Sequence, residues 1–203
     1  MNKKAIPRRP TTGASQEVRI IGGQWKRTPL PVGQADGLRP TPARVRETLF
    51  NWLGQDMTGL RCVDAFAGTG ALGLEAASRG AAEVVLVEQD AALVRSLSGL
   101  VSKLQAGAVR VERGDGISAL RQRRGQAWDL VLLDPPFGED GNPALFRSAL
   151  AAASEAIHPN GEVYLEAPQT WRDADLAPWG LRVHRSGKAG AVAFHLLRPI
   201  GSD

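Results

Sequence analysis

Short apolar runs alternate along the chain with stretches in which apolar residues recur every three or four positions. Arg61 to Phe66, Glu83 to Glu88, Val109 to Glu112, Asp129 to Leu133 and Glu162 to Glu166 have the length and apolar content of buried strands. Between them, Leu72 and Leu74, then Leu93, Leu97, Leu100, Val101 and Leu104, mark the apolar faces of helices. The spacing predicts helices over about Ala71 to Arg79, Asp90 to Leu104 and Pro143 to Ile157, with a short basic helix ending near Arg124. Strand then helix, repeated, makes a parallel sheet with helices on both faces. The last two extended runs, Leu181 to Arg185 and Ala191 to Arg198, are joined by a linker too short for a crossover helix. They are expected to pair as an antiparallel hairpin at the sheet edge. The predicted fold is α/β, a mostly parallel seven-stranded sheet.

Upstream of this rhythm, Val18-Arg19-Ile20-Ile21 and Gln24-Trp25-Lys26-Arg27 flank Gly22-Gly23. A glycine pair accepts the positive φ of a tight turn, so an N-terminal β-hairpin is expected with these glycines at its tip. Trp25 is then either a stacking platform for a base or a packing anchor. A helix follows, with Thr41 as N-cap, Pro42 at its first position, and Val45, Leu49, Trp52 and Leu53 on one face. Arg44 and Arg46 near its N-terminus oppose the helix dipole, which an anionic partner or a local carboxylate such as Glu47 would offset. The expected organisation is a disordered basic tail over 1–16, a basic hairpin and loop over 17–40, and the main domain over 41–203.

The first core strand leads into Asp64-Ala65-Phe66-Ala67-Gly68-Thr69-Gly70, a glycine-rich turn opening a helix. Without a Cβ, Gly68 and Gly70 let a ligand approach the backbone and accept positive φ. The helix N-terminus aims unpaired N–H groups into the same space. The second strand ends in Glu88, where a carboxylate can accept both hydroxyls of a ribose. This is an adenosine-type cofactor site, built from Asp64, Phe66, Ala67, Gly68, Thr69, Gly70 and Glu88. Asp115 and Gly116, at the end of the third strand, join it: Asp115 either accepts from an adenine amine or serves as a turn residue. Asp64 either contacts the cofactor or caps the turn. The spacing Gly68-x-Gly70-x-x-Gly73 also satisfies the dinucleotide fingerprint, which alone leaves a nicotinamide-dependent oxidoreductase open.

Asp134-Pro135-Pro136-Phe137, ending the fourth strand, resembles the catalytic tetrapeptide of S-adenosylmethionine-dependent methyltransferases that modify exocyclic or amide nitrogens, and so favours another chemistry. An exocyclic amine is a poor nucleophile because its lone pair is delocalised into the ring. Two acceptors aimed at its hydrogens, the Asp134 carboxylate and the Pro135 carbonyl, free that lone pair. Pro135 and Pro136 stiffen the turn, and Phe137 stacks on the flipped base. The remaining task is alignment, which can contribute about 7–11 kcal/mol.

Composition narrows the partners. Net charge is +4, yet residues 1–46 carry ten Lys or Arg against Glu17 and Asp36. That asymmetry points to a polyanion met by Arg19, Lys26, Arg27, Arg39, Arg44 and Arg46. The single cysteine, Cys62, excludes a disulfide framework, and His158, His184 and His195 lack ligand spacing, so no metal site is expected. With no long apolar run and no signal-peptide core, a cytoplasmic protein without membrane contact is expected.

Together, Arg19-Ile-Ile-Gly-Gly-Gln-Trp-Lys, Leu38-Arg-Pro-Thr, Arg44-Val-Arg-Glu-Thr-Leu-Phe-Asn-Trp-Leu, Asp64-Ala-Phe-Ala-Gly-Thr-Gly-Ala-Leu-Gly-Leu-Glu and Asp134-Pro-Pro-Phe resemble the bacterial 16S ribosomal RNA guanine-N2 methyltransferase family, named for guanine 966. The resemblance spans about Arg19 to Arg198. It implies a Rossmann-like class I methyltransferase fold, S-adenosylmethionine as donor, and a guanine N2 amine of the small subunit as target; the expected partner is 16S rRNA of an assembling or assembled 30S particle, and the expected state a monomer. A DNA adenine or protein glutamine methyltransferase shares the acidic tetrapeptide and is the alternative within the class.

Overall fold

A computed structural model describes residues 18–30, 41–138 and 140–202. The tail over 1–16 and the loop carrying Arg39 lie outside the described residues. The main body comprises β3 (Arg61–Asp64), β4 (Glu83–Glu88), β5 (Val109–Arg113), β6 (Trp128–Leu133), β7 (Ile157–Ala167), β8 (Leu181–Ala189) and β9 (Val192–Pro199). They form one seven-stranded sheet in the order β5-β4-β3-β6-β7-β9-β8. The first five in that order are parallel, and β9 runs antiparallel to both β7 and β8, as the short final linker requires. Strand order reverses at β3, so the crevice at its carboxyl end is the place where such sheets bind ligands.

Alternation along each strand sorts side chains onto two faces. Cys62, Val84, Leu86, Leu130, Leu132 and Tyr164 point into one core, beneath α1 (Ala43–Leu53), α2 (Gly73–Ser78) and α3 (Ala91–Lys103). Val63, Val85, Val131 and Val163 point into the other, beneath α4 (Gly116–Gln122) and α5 (Pro143–Ala156). Cys62 is fully buried and burial pushes its thiol up to about 12, so it packs as an apolar residue. A short helix, α6 (Asp173–Leu176), was not expected from the apolar pattern; it and a single 3-10 turn bridge β7 to β8. β7 starts at Ile157 rather than Glu162, because the chain leaves α5 directly in extended conformation.

The N-terminal hairpin forms, but with a different tip. β1 (Val18–Arg19) pairs antiparallel with β2 (Pro29–Leu30), and Ile20 and Arg27 extend the ladder through Ile20 N–H to Thr28 O and Arg27 N–H to Ile20 O. Gly22 and Gly23 are not a two-residue turn. They lie flat on the end of α2, where a Cβ on Gly23 would sit 1.8 Å from the Ser78 carbonyl oxygen. Gln24 N–H donates to that carbonyl, Trp25 N–H to Ser78 Oγ, and Ser78 Oγ–H to Gly22 O. The glycines therefore serve close approach between loop and helix. Trp25 is half-buried and packs on the core, which resolves it as an anchor.

Glu75, fully buried in α2, is the second fastening. Its carboxylate accepts from Ile21 N–H at 2.8 Å and Gly22 N–H at 2.7 Å, and pairs with Arg79 at 2.8 Å and Arg46 at 3.6 Å. Arg46 also donates to the carbonyls of Thr41 and Arg19. One anion thus ties hairpin, α1 and α2 together.

Candidate active site

The glycine turn sits at the carboxyl end of β3. Gly68 and Gly70 have φ of 53° and 77°, as a turn of this kind requires. A Cβ on Gly73 would lie 2.2 Å from Leu86, so its absence lets α2 press against β4. Asp64, 1% exposed, accepts from Gly73 N–H at 3.0 Å through Oδ2, while Oδ1 has no hydrogen-bond partner among the described residues. Burial outweighs the backbone N–H groups of Gly73 and Phe66 and pushes its carboxyl up to about 7. Asp64 therefore both pins the turn and aims an unsatisfied oxygen nearby.

Glu88 reaches across from the tip of β4. Its Oε2 accepts from Gly68 N–H at 2.9 Å and its Oε1 from Asp90 N–H at 2.8 Å. Each oxygen retains a further lone pair for a hydroxyl. Asp115 caps α4, accepting from Ser118 N–H at 2.8 Å, and remains exposed at the same sheet edge. Gly116 is buried where a Cβ would meet the Ala65 carbonyl at 2.0 Å, which draws the α4 N-terminus against the glycine turn. Phe66 is half-buried, while Ala67 and Thr69 lie inside the turn with 6% and 3% exposure. All the candidate cofactor residues thus converge on one edge.

The tetrapeptide is on that edge too. β6 is the parallel neighbour of β3, with Asp64 opposite Leu132, so Asp134 emerges beside the glycine turn. Pro135 is buried, Pro136 exposed and Phe137 half-buried, its ring 6.0 Å from Phe146 at the head of an aromatic series continuing through Trp171 to Trp179. Withdrawal from water holds the Asp134 carboxyl well above the usual carboxylate range; Glu166 and then Asp64 add to the rise, and a hydrogen bond from Thr41 opposes it.

Thr41 is a correction. α1 begins at Ala43, with Pro42 in the cap position and no side-chain cap bond. The Thr41 hydroxyl instead donates to Asp134 Oδ2 at 3.3 Å, across 93 residues of sequence. Glu166, 3% exposed at the end of β7, was given no role by sequence reasoning. It accepts from the Tyr164 hydroxyl at 2.9 Å, and burial raises its carboxyl while the Thr41 and Tyr164 hydroxyls oppose the rise. A signal for it exists: like Asp64, Glu88 and Asp134, it is an acid at or just beyond the carboxyl end of an apolar strand.

Among the cationic candidates, Arg19, Lys26 and Arg27 are exposed on the hairpin and Arg44 is exposed on the first turn of α1. Arg46 is not on that surface. It is 2% exposed and engaged by Glu75, so the local carboxylate that offsets its charge is Glu75, together with Glu47, rather than a phosphate. Arg39 lies outside the described residues. No acidic, His or Cys cluster suited to a metal occurs among the described residues, and no described helix is long and apolar enough to cross a membrane.

Strand order, the glycine turn and the carboxyl-edge crevice define a Rossmann-like methyltransferase fold. A solved structure of a putative methyltransferase from Escherichia coli superposes with a TM-score of 0.75 at 35% identity, covering 90% of this chain and 98% of that one. A putative RNA methyltransferase from Pyrococcus horikoshii matches with a TM-score of 0.64 at 25% identity, covering 80% and 85%. Ribosomal RNA small subunit methyltransferase D of Escherichia coli K12 is 39% identical over 197 residues, 94% of each chain, and the protein of that name from Haemophilus influenzae is 37% identical, over 93% of this chain and 97% of that one. Residues 18–198 match the family described as Conserved hypothetical protein 95, and the chain belongs to that family of bacterial ribosomal RNA methyltransferases.

Proposed function

We propose that the protein transfers a methyl group from S-adenosylmethionine to the N2 amine of a guanine in 16S ribosomal RNA, guanine 966 by family resemblance. The observation that carries this reading is the placement of Asp134 on the strand next to the glycine turn, so that donor site and acceptor tetrapeptide share one crevice. The donor's name comes from the family and its fit from the site. Asp64 Oδ1 is a buried acceptor without a hydrogen-bond partner among the described residues, Gly68 and Gly70 open the backbone, and Glu88, bonded to the Gly68 amide, retains acceptor capacity beside the turn.

Bound there, S-adenosylmethionine would supply a methyl on a positively charged sulfur. The chain's own residues do the rest. Glu88 and the turn fix the adenosine end, Phe137 stacks on the extruded base, and Asp134 with the Pro135 carbonyl accepts from the target amine and frees its lone pair. The amine becomes acidic once alkylated, so Asp134 needs to hold a hydrogen bond rather than act as a strong base. Thr41 orients that carboxylate through its hydroxyl.

The hairpin and α1 present Arg19, Lys26, Arg27 and Arg44 to the RNA backbone. Transfer of labelled methyl onto naked 16S RNA, a partly assembled subunit and a mature one, with the modified nucleoside identified by mass, tests the proposal. N2-methylguanosine from one of the three is the expected product. Label in another nucleoside, or in protein, overturns it.

A further inference from the structure

The reading of Asp134 as acceptor for the target amine leaves a buried neighbour unexplained. β6 and β7 are parallel, with Leu133 opposite Leu165, so Asp134 and Glu166 leave adjacent strands at the same level. Neighbouring strands lie about 4.8 Å apart, which puts the two carboxyl groups side by side. Both belong to the face carrying Leu132 and Tyr164, the face on which α1 and the hairpin pack. The Thr41 hydroxyl bridges them, bonded to Asp134 and within reach of Glu166. A second acid at this depth costs stability unless donors meet it. The Tyr164 and Thr41 hydroxyls supply them, and since Thr41 also bonds Asp134, the two acids share one donor and neither fastens the hairpin or the glycine turn.

We infer that Glu166 is the residue that specifies guanine, accepting from the base's N1–H while Asp134 accepts from the N2 amine. This rests on the guanine-N2 assignment and extends it. The Watson–Crick edge of guanine offers two adjacent N–H donors, N1 and N2, matching two adjacent acceptors. Adenine offers its amine beside an unprotonated N1, whose lone pair would face the Glu166 carboxylate. With both carboxylates ionised, the paired-acid edge admits guanine and rejects adenine, as enzymes that read an extruded base do through hydrogen bonds to this edge. Cytosine likewise places an unprotonated ring nitrogen next to its amine and is rejected for the same reason.

The test uses whichever of the three RNA forms accepts methyl from the wild type, rebuilt with either guanine or 2-aminopurine at the target position and methylated by the wild type and by Glu166→Gln. 2-Aminopurine keeps the N2 amine but has no proton on N1. The amide of Glu166→Gln can donate to that nitrogen, and offers guanine only a neutral acceptor. The wild-type preference for guanine should fall by about ten- to hundred-fold in Glu166→Gln, the range expected when a charged hydrogen bond is lost. Both bases are read with one enzyme sample, so the ratio is insensitive to the fraction folded. Cofactor affinity should be unchanged, because two strands, β3 and β6, separate Glu166 from Glu88. Equal loss on both bases overturns the inference and makes Glu166 structural, while the guanine assignment stands. Wild-type enzyme that methylates neither base overturns the guanine assignment itself, and the inference with it.

Discussion

Arg46 and Glu75 meet inside the protein, guanidinium nitrogen 3.6 Å from carboxylate oxygen, with side-chain exposures of 2% and 0%. The pair joins α1 to α2, and the same carboxylate holds the Ile21 and Gly22 amides of the hairpin. α2 is also the helix whose N-terminal end closes the glycine turn through Gly73. The segment proposed to grip RNA and the segment proposed to grip the cofactor are therefore attached to opposite ends of one short buried helix. Their relative placement is set before either ligand arrives.

Glu75→Gln should be among the most destabilising single changes in the chain. It leaves Arg46 and Arg79 partnered by a neutral amide, and breaking a buried ion pair by removing one partner costs about 3–5 kcal/mol. Thermal denaturation gives the magnitude. Amide hydrogen exchange gives the location: protection at Ile21, Gly22, Gln24 and Trp25 should fall before that of β3 and β4. Uniform loss of protection over the whole chain would count against a local fastening.

Thr41→Val tests the hydroxyl beside Asp134. In its proposed role Asp134 accepts when ionised, so activity is present above its folded pKa and is lost as pH falls through it. Burial raises that pKa and the Thr41 bond lowers it. Deleting the hydroxyl should move the acid limb of the pH–rate profile to higher pH. A hydrogen bond to a charged group is worth about 1.5–3 kcal/mol, or roughly one to two pH units. A limb that stays in place removes Thr41 from the catalytic carboxylate.

Much of this site was legible in the sequence because its signals are local. Gly68, Gly70 and Gly73 announce a turn that only small residues can make, and apolar runs ending in Glu88 and in Asp134-Pro135-Pro136-Phe137 place acids at strand tips without knowledge of the sheet. What stayed hidden depends on partners distant in sequence. Thr41 has every local mark of a helix cap, and only the arrival of β6 beneath α1 turns its hydroxyl to Asp134. Arg46 resembles its exposed neighbour Arg44 until Glu75 is packed against it. Gly22-Gly23 reads as a hairpin tip until α2 fills the space a Cβ would take.

Glu88→Ala and Asp134→Ala should separate binding from transfer. Glu88 holds the Gly68 amide and is proposed to hold the ribose, so its loss should weaken S-adenosylmethionine by about ten- to hundred-fold. Asp134→Ala should leave that affinity within error of wild type and reduce methyl transfer by about 100-fold or more, the scale of losing a preorganised polar group. Isothermal titration and single-turnover transfer measure the two quantities. Turnover near wild type in Asp134→Ala would reject its role.

Asp64 makes a pH-dependent contribution to folding whose sign follows from its raised pKa. In the unfolded chain the group titrates near its ordinary 3.8, and in the folded protein near 7. Its protonated form is favoured by folding, so stability is greatest below about 4, falls between the two values, and is lowest above 7. Asp64→Asn removes this dependence and can keep the bond from Gly73 N–H. It should raise the melting temperature at pH 8 more than at pH 5, by differential scanning fluorimetry, while weakening cofactor binding. An equal shift at both pH values would mean that Asp64 is ionised throughout.

Salt dependence distinguishes a cation that faces phosphate from one that holds the fold. Each phosphate neutralised releases counterions and adds about 0.7–0.9 to the slope of log K against log salt. Arg19, Lys26 and Arg27 are exposed on the hairpin, and replacing all three by Gln should flatten the slope for 16S RNA by about two to three and weaken binding at low salt most. Arg46→Met is the control with the same loss of formal charge. Because Arg46 is buried against Glu75, it should lower thermal stability and leave the slope of the folded fraction unaltered. If instead the triple variant keeps the wild-type slope, the hairpin is not in the interface, and Arg44 with the chain preceding α1 must carry the polyanion contact. If Arg46→Met changes the slope as much as a hairpin substitution does, RNA binding draws Arg46 out of the core, and the fastening between α1 and α2 opens when the substrate binds.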